Sequence, residues 1–262
     1  MEIPIYQVDA FAGKIFSGNP AAVCPLEVWL PDQLLQSIAQ ENNLSETAYY
    51  LKEDQGYGLR WFTPGSEVSL CGHATLATAH VLFFELENQA PELVFRTLSG
   101  RLVVKRTGSD QYQMDFPLAG LEFCEPPAEL IEALGRMPSE VFRSGEDIYA
   151  VYDKQADVES LHPNMFLLGN IDCRGIGVTA PGDGALDFVS RFFAPKLGIP
   201  EDPVTGSAHC STAPYWSERL NKTQFTARQV SSRGGDLDLQ ISGNRLLISG
   251  RARTYLKGHI FI

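Results

Sequence analysis

The chain opens on an apolar run, Ile3 to Phe11, breaks at Gly18-Asn19-Pro20 and resumes from Ala21 to Cys24. Short apolar runs bounded by turn residues predict two strands. From Pro31 the spacing changes: Leu34, Leu35 and Ile38 share one helical face and Asn42-Asn43 supplies a stop, so a helix is expected between them. Ser45 to Leu51 returns to strand character, and a further strand ends at Phe62. His73 to Leu86 is apolar nearly all round through Leu76, Val81, Leu82 and Phe83, the mark of a helix buried at the centre of its domain. Strand-like runs at Leu93–Thr97, Arg101–Arg106 and Gln111–Phe116 close this half near Pro117. Past Pro126-Pro127 a helix is expected over Ala128–Leu134, and the chain ends in strand-like runs at Gln229–Val230, Leu237–Ile241, Arg245–Ser249 and Arg253–Ile262.

Two stretches repeat one another: Trp61 to Thr75, and Arg191 to His209. In each, an aromatic-aromatic-x-Pro strand end leads to an acidic residue, Glu67 or Asp202. A Gly-polar-small signature follows, Gly72-His73-Ala74 or Gly206-Ser207-Ala208, and then a helical run. The interval from the first glycine to a second glycine, Gly100 or Gly235, differs by a single residue between the copies. A duplicated half folding against its twin would build one cleft between two similar walls. The expected fold is therefore α+β, with two pseudo-symmetric halves, residues 1–117 and 118–262. Each half reads as a sheet wrapped around a buried helix, and the last dozen residues are free to pack back on the first half.

Composition narrows the function more than the fold. A formal net charge of −11 over 262 residues argues against a basic patch for nucleic acid or an anionic membrane surface, so a small-molecule substrate is the expected partner. A homodimer is left open. The N-terminus has no basic segment followed by an apolar one, and no apolar run reaches membrane-spanning length, which predicts a cytoplasmic protein. The five cysteines are widely spaced and lack a C-x-x-C pair, so they are expected as reduced thiols rather than a disulfide framework or zinc site.

Gly175-Ile176-Gly177-Val178-Thr179-Ala180 matches a loose dinucleotide fingerprint, but Pro181-Gly182 follows where a helix would have to start. The sequence Cys71-Gly72-His73-Ala74-Thr75 and its counterpart Thr205-Gly206-Ser207-Ala208-His209 carry more chemistry. In each, glycine allows close approach to backbone N–H groups at a helix start, where the helix dipole favours an anion. Alone, each could be ordinary capping; as a pair, they could hold a carboxylate or a developing enolate. Asp202 could orient a substrate or simply sit in a turn before proline, and His73 could bond a polar ligand or pack. Glu46 taken alone reads as a strand-edge carboxylate.

The blocks Gly18-Asn19-Pro20-Ala21-Ala22-Val23, Leu44-Ser45-Glu46-Thr47-Ala48, Leu59 to Pro64, Glu67 to Thr75 and Glu201 to His209 resemble, in order, the signature blocks of the PhzF-like, phenazine biosynthesis-like isomerases. The resemblance covers essentially the whole chain. It implies the diaminopimelate-epimerase-like fold, two pseudo-symmetric halves each built as a curved, mostly antiparallel sheet around a central helix, and an isomerase that works without a cofactor or metal, moving a proton on a small carboxylated, amino-acid-like or cyclic substrate. It further implies Glu46 as the catalytic acid/base and Gly72, His73, Asp202, Gly206 and Ser207 as substrate-binding positions. Racemases and epimerases of that fold instead use two opposed cysteines, one at each helix start. Here Cys71 stands at the first and Thr205 at the second, and a hydroxyl is a poor base near neutral pH. A Cys71-dependent racemase is thus the alternative enzyme reading, and a non-catalytic ligand- or protein-binding module of the same fold is the alternative outside enzymes.

Overall fold

In the computed structural model, which describes residues 1–262, the chain divides into two units. One comprises Met1–Asp115 with Ser249–Ile262, the other Phe116–Ile248.

In the first unit β1 (Glu2–Ala10) pairs antiparallel with β2 (Asn19–Leu26), Ala10 opposite Asn19. The connection between them, residues 11–18, ends on Gly18, because Asn19 and Pro20 already belong to the strand. Gly18 has φ +69°, and a Cβ there would lie 2.1 Å from the Ala10 carbonyl oxygen, so only glycine brings the chain back this tightly. Helix α1 (Asp32–Asn42) buries Leu35, Ile38 and Ala39, with Pro31 as its N-cap and Asn43 closing it in the left-handed conformation. These side chains pack with Ile3, Cys24, Leu30, Tyr49 and Phe62. The sheet continues through β3 (Glu46–Glu53), parallel to β2, then β4 (Gly56–Phe62), antiparallel to β3, and the short β5 (Glu67–Val68) beside β4. Helix α2 (Gly72–His80) follows, and every residue from His73 to His80 is buried, as an all-apolar helical surface requires. The expected helical run continues past His80, but as a π-helical turn, Val81–Glu85. After it come β6 (Glu92–Thr97), parallel to β4, then β7 (Gly100–Arg106) and β8 (Gln111–Pro117), each antiparallel to the strand before it.

The second unit starts with β9 (Glu122–Cys124), α3 (Ala128–Leu134), β10 (Glu140–Ser144), β11 (Asp147–Val151), α4 (Gln155–Glu159) and α5 (Met165–Asn170). Next come β12 (Ile176–Pro181), β13 (Phe188–Ala194), β14 (Ile199–Asp202), α6 (Gly206–Leu220), β15 (Gln224–Gln229) and β16 (Gly235–Ser242). Its pairings run β10–β11 antiparallel, β11–β12 parallel, β12–β13 and β13–β14 antiparallel, β13–β15 parallel and β15–β16 antiparallel. That order repeats β1–β2, β2–β3, β3–β4, β4–β5, β4–β6 and β6–β7 in both partner and direction. Helix α6 takes the place of α2 and is buried from Ala208 to Ala213. The two last predicted strands are one continuous strand, β17 (Arg245–Phe261). From Ser249 onward it belongs to the first unit, where it pairs with β1 from Ala252–Ala10 to Phe261–Glu2.

A repeated ion pair corrects one detail of the sequence alignment. Arg60 on β4 grips Glu67 through Nε at 2.7 Å and Nη2 at 2.7 Å, over the Phe62 ring. Arg191 on β13 grips Glu201 through Nε at 2.8 Å and Nη2 at 3.0 Å, over the Phe193 ring. The counterpart of Glu67 in this brace is Glu201, not Asp202, so Asp202 has no twin in the first unit's brace.

Candidate active site

Glu46 begins β3, directly beside Ala21 of β2, while Asn19 begins β2 itself. The start of α2 supplies the other members: Cys71 is its N-cap and His73 its second residue. Strand starts and a helix start thus meet at one end of the first unit's sheet, and the side chains meet there too. His73 Nε2 lies 3.0 Å from Glu46 Oε2, off the line of an ideal hydrogen bond, and neither atom has another partner. On the opposite edge of the ring, His73 Nδ1 is 3.2 Å from Asn19 Nδ2 and 3.5 Å from Cys71 Sγ. His73 is 5% exposed and Asn19 fully buried, so these contacts act in a medium of low dielectric.

Burial lowers the His73 pKa, whereas charge at Cys71 and at Glu46 raises it, and the balance lies well above 6.5. The Cys71 thiol is itself driven up from 9.0, by burial first and by the charge of Glu46 second. A thiol pushed in that direction stays protonated near neutral pH, so the charge that raises His73 most is missing there, burial opposes a second ring proton, and Glu46 is the remaining ionic partner. Ligand atoms of Glu46, Cys71 and His73 lie within 4.8 Å of one another, a grouping that metal ions favour. The imidazole turns Nδ1 towards the thiol and Nε2 towards the carboxylate. Chelation would need Cys71 as a thiolate, which burial and the charge of Glu46 both disfavour, so the arrangement suits proton exchange better than chelation.

In the second unit Asp202 ends β14 and Thr205 is the N-cap of α6, with Gly206 and Ser207 as its first residues. The Thr205 hydroxyl donates to Asp202 Oδ2 at 2.5 Å, so its proton is already committed. Gln229, fully buried at the end of β15, ties this corner together. Its Oε1 accepts from the Thr205 N–H at 2.8 Å, and its Nε2 donates to the Asp202 carbonyl at 2.6 Å. One turn into α6, His209 Nδ1 lies 2.9 Å from the Thr205 carbonyl oxygen, and burial lowers its pKa to about 4.

Neither helix start receives a capping side-chain hydrogen bond from its N-cap residue, which leaves the first-turn N–H groups of both to other partners. The site residues expected from sequence fall into two clusters. Glu46, Cys71, Gly72 and His73 gather in the first unit; Asp202, Thr205, Gly206 and Ser207 gather in the second. Sequence reasoning assigned no role to Asn19 and Gln229. Asn19 was hidden inside a turn signal, and Gln229 at the end of a strand run carries no local motif at all.

Across residues 8–258 the sequence matches the profile of a family described as phenazine biosynthesis-like protein. The chain belongs to that family. An uncharacterized isomerase of Pseudomonas aeruginosa is 51% identical over 262 residues, covering 100% of both chains. The human phenazine biosynthesis-like domain-containing protein is 40% identical, over 98% of this chain and 99% of its own length. A crystal structure of a PhzF-family protein from Enterococcus faecalis superposes with a TM-score of 0.96 at 47% identity, over 100% of both chains. A hydroxyproline epimerase of Agrobacterium vitis, at 14% identity and a TM-score of 0.61, covers 99% of this chain and 92% of its own, and shares the fold alone. Within the phenazine biosynthesis-like family this chain thus has the racemase-and-epimerase type of fold that the family resemblance implies. None of its helices is long and apolar enough to cross a membrane.

Proposed function

We propose that this protein is a cofactor-independent isomerase that moves a proton on a small carboxylated substrate, amino-acid-like or cyclic, with Glu46 as general acid and base. The observation that carries the reading is the placement of Glu46 against His73 Nε2, at 3.0 Å and beside a helix start. In the first step a carboxylate oxygen of Glu46 takes the proton from an acidic C–H. The C–H electron pair stays on the substrate as an enolate, which the N–H groups at a helix start would stabilise. In the second step the carboxylic acid returns the proton to another carbon, or to the other face of the same one, and the carboxylate is restored. His73, Gly72, Asp202, Gly206 and Ser207 are read as substrate-binding positions, as the family resemblance implies. Family membership and relatives named isomerases support the reaction class.

The Cys71-dependent racemase has less support. Burial disfavours the Cys71 thiolate, and the Thr205 hydroxyl already donates to Asp202. Solvent deuterium uptake into a panel of amino acids and cyclic carboxylates tests the reading. The wild-type protein should label at least one panel member, and Glu46→Gln, which keeps the shape but cannot accept a proton, should cost on the order of 10² to 10⁴ in rate. Undiminished labelling by that variant removes Glu46 from the mechanism. Binding without labelling across the panel favours the non-catalytic module.

A further inference from the structure

We propose that Asn19 is a positioning residue that keeps His73 singly protonated, with the proton on Nε2 facing Glu46 and Nδ1 bare. The inference rests on the reading of Glu46 as the acid/base, and it starts from what each neighbour of the ring can offer. A carboxylate only accepts, so the ring nitrogen 3.0 Å from Glu46 Oε2 is the one that carries hydrogen. Nδ1 faces the amide nitrogen of Asn19 at 3.2 Å and the sulfur of Cys71 at 3.5 Å. An amide NH₂ only donates, and a protonated thiol donates as well. A second proton on Nδ1 would therefore face an amide donor and, for acceptor, only the weak sulfur of Cys71, in a buried site where a poorly matched polar hydrogen is costly. Gly18 fixes the donor in place, since its φ of +69° and the 2.1 Å approach to the Ala10 carbonyl oxygen leave the chain one path into β2.

The consequence for catalysis lies at Glu46. While Nε2–H addresses Oε2, the substrate proton is directed to the other carboxylate oxygen, Oε1. A doubly protonated ring would instead hold Glu46 as a full ion pair and weaken it as a base. Asn19 thus acts through His73 to keep Glu46 reactive, without touching substrate itself.

The tautomer can be measured without any substrate, which separates this inference from the isomerase reading. In protein labelled with ¹⁵N-histidine, the ring nitrogens of His73 are assigned by their disappearance in His73→Gln, and their shifts distinguish protonated from bare nitrogen. Near neutral pH the wild-type protein should show Nε2 protonated and Nδ1 bare. Asn19→Asp, which replaces the donor by an acceptor, should protonate Nδ1 at the same pH. Asn19→Ala, the smaller perturbation should the aspartate variant not fold, should raise the pH at which Nδ1 takes up its proton. A wild-type Nδ1 that already carries hydrogen near neutral pH overturns the inference. So does an Nδ1 whose protonation is unmoved in both variants. Loss of deuterium exchange in Glu46→Gln bears only on the isomerase reading and leaves the tautomer result standing.

Discussion

Cys71 divides the two enzyme readings at the scale of a single residue. Its place at the helix start was legible in the sequence, because Cys-Gly-His precedes an unbroken apolar run. Its chemistry was not, since that depends on burial and on which edge of the His73 ring it faces. At 6% exposure, and with its thiol pushed up by burial, it lacks the exposed, electropositive surroundings that make a thiol reactive. Iodoacetamide labelling followed by mass spectrometry should therefore modify the half-buried Cys124 and Cys173 well before Cys71. Cys71→Ser should keep most of any deuterium exchange, within about tenfold of wild type, because serine preserves size and a hydroxyl donor towards Nδ1. If Cys71→Ser abolishes exchange while Glu46→Gln does not, the thiol mechanism replaces the glutamate one. The role of Asn19 escaped sequence reasoning for a related reason: Gly-Asn-Pro reports a turn, and nothing in its spacing reports a histidine 54 positions away.

At the scale of elements, both central helices were legible from their apolar periodicity, but their ends depend on partners far along the chain. The π-helical turn after α2 is one case. His80 stacks on Phe84 at 5.0 Å, meets the Tyr112 hydroxyl at 3.0 Å through Nδ1 and meets Thr254 at 3.0 Å through Nε2, while the Thr254 hydroxyl donates to Glu85 at 2.6 Å. A widened turn lets both Phe84 and Glu85 serve these contacts, and the Thr254 partner lies in the last strand, beyond any local window. The start of α6 is the other case, since it depends on Gln229. Gln229→Leu keeps the volume but leaves the Thr205 N–H without its acceptor and the Asp202 carbonyl without its donor. An orphaned buried polar group costs about 1–3 kcal/mol, so urea unfolding should show a loss of at least that size. Unchanged stability in this variant would mean that other groups take over both bonds and that Gln229 does not organise the corner.

At the scale of the whole molecule the duplication was legible because a shared order of strand pairings left matching sequence around each helix start. The return of the last strand to the first unit was foreseen only as a tendency, and the alignment of Glu67 with Asp202 was off because an ion pair, not a motif, marks the true twin, Glu201. Each central helix also holds a buried histidine, His80 in α2 and His209 in α6, at positions the repeat does not match, and burial lowers both from 6.5 to about 4. In the unfolded chain each takes up a proton as the pH falls through 6.5, but in the folded chain only near 4. Between those values the unfolded state binds more protons, so stability is complete above 6.5 and is lost as the pH falls towards 4. A displacement of this size corresponds to about 3 kcal/mol for each histidine at full effect. Urea unfolding measured at neutral pH and at about pH 5 should show the loss, and His209→Gln, which cannot take up the proton, should diminish it. A variant whose acid sensitivity matches the wild type would place the burden on the carboxylates and take His209 out of the account.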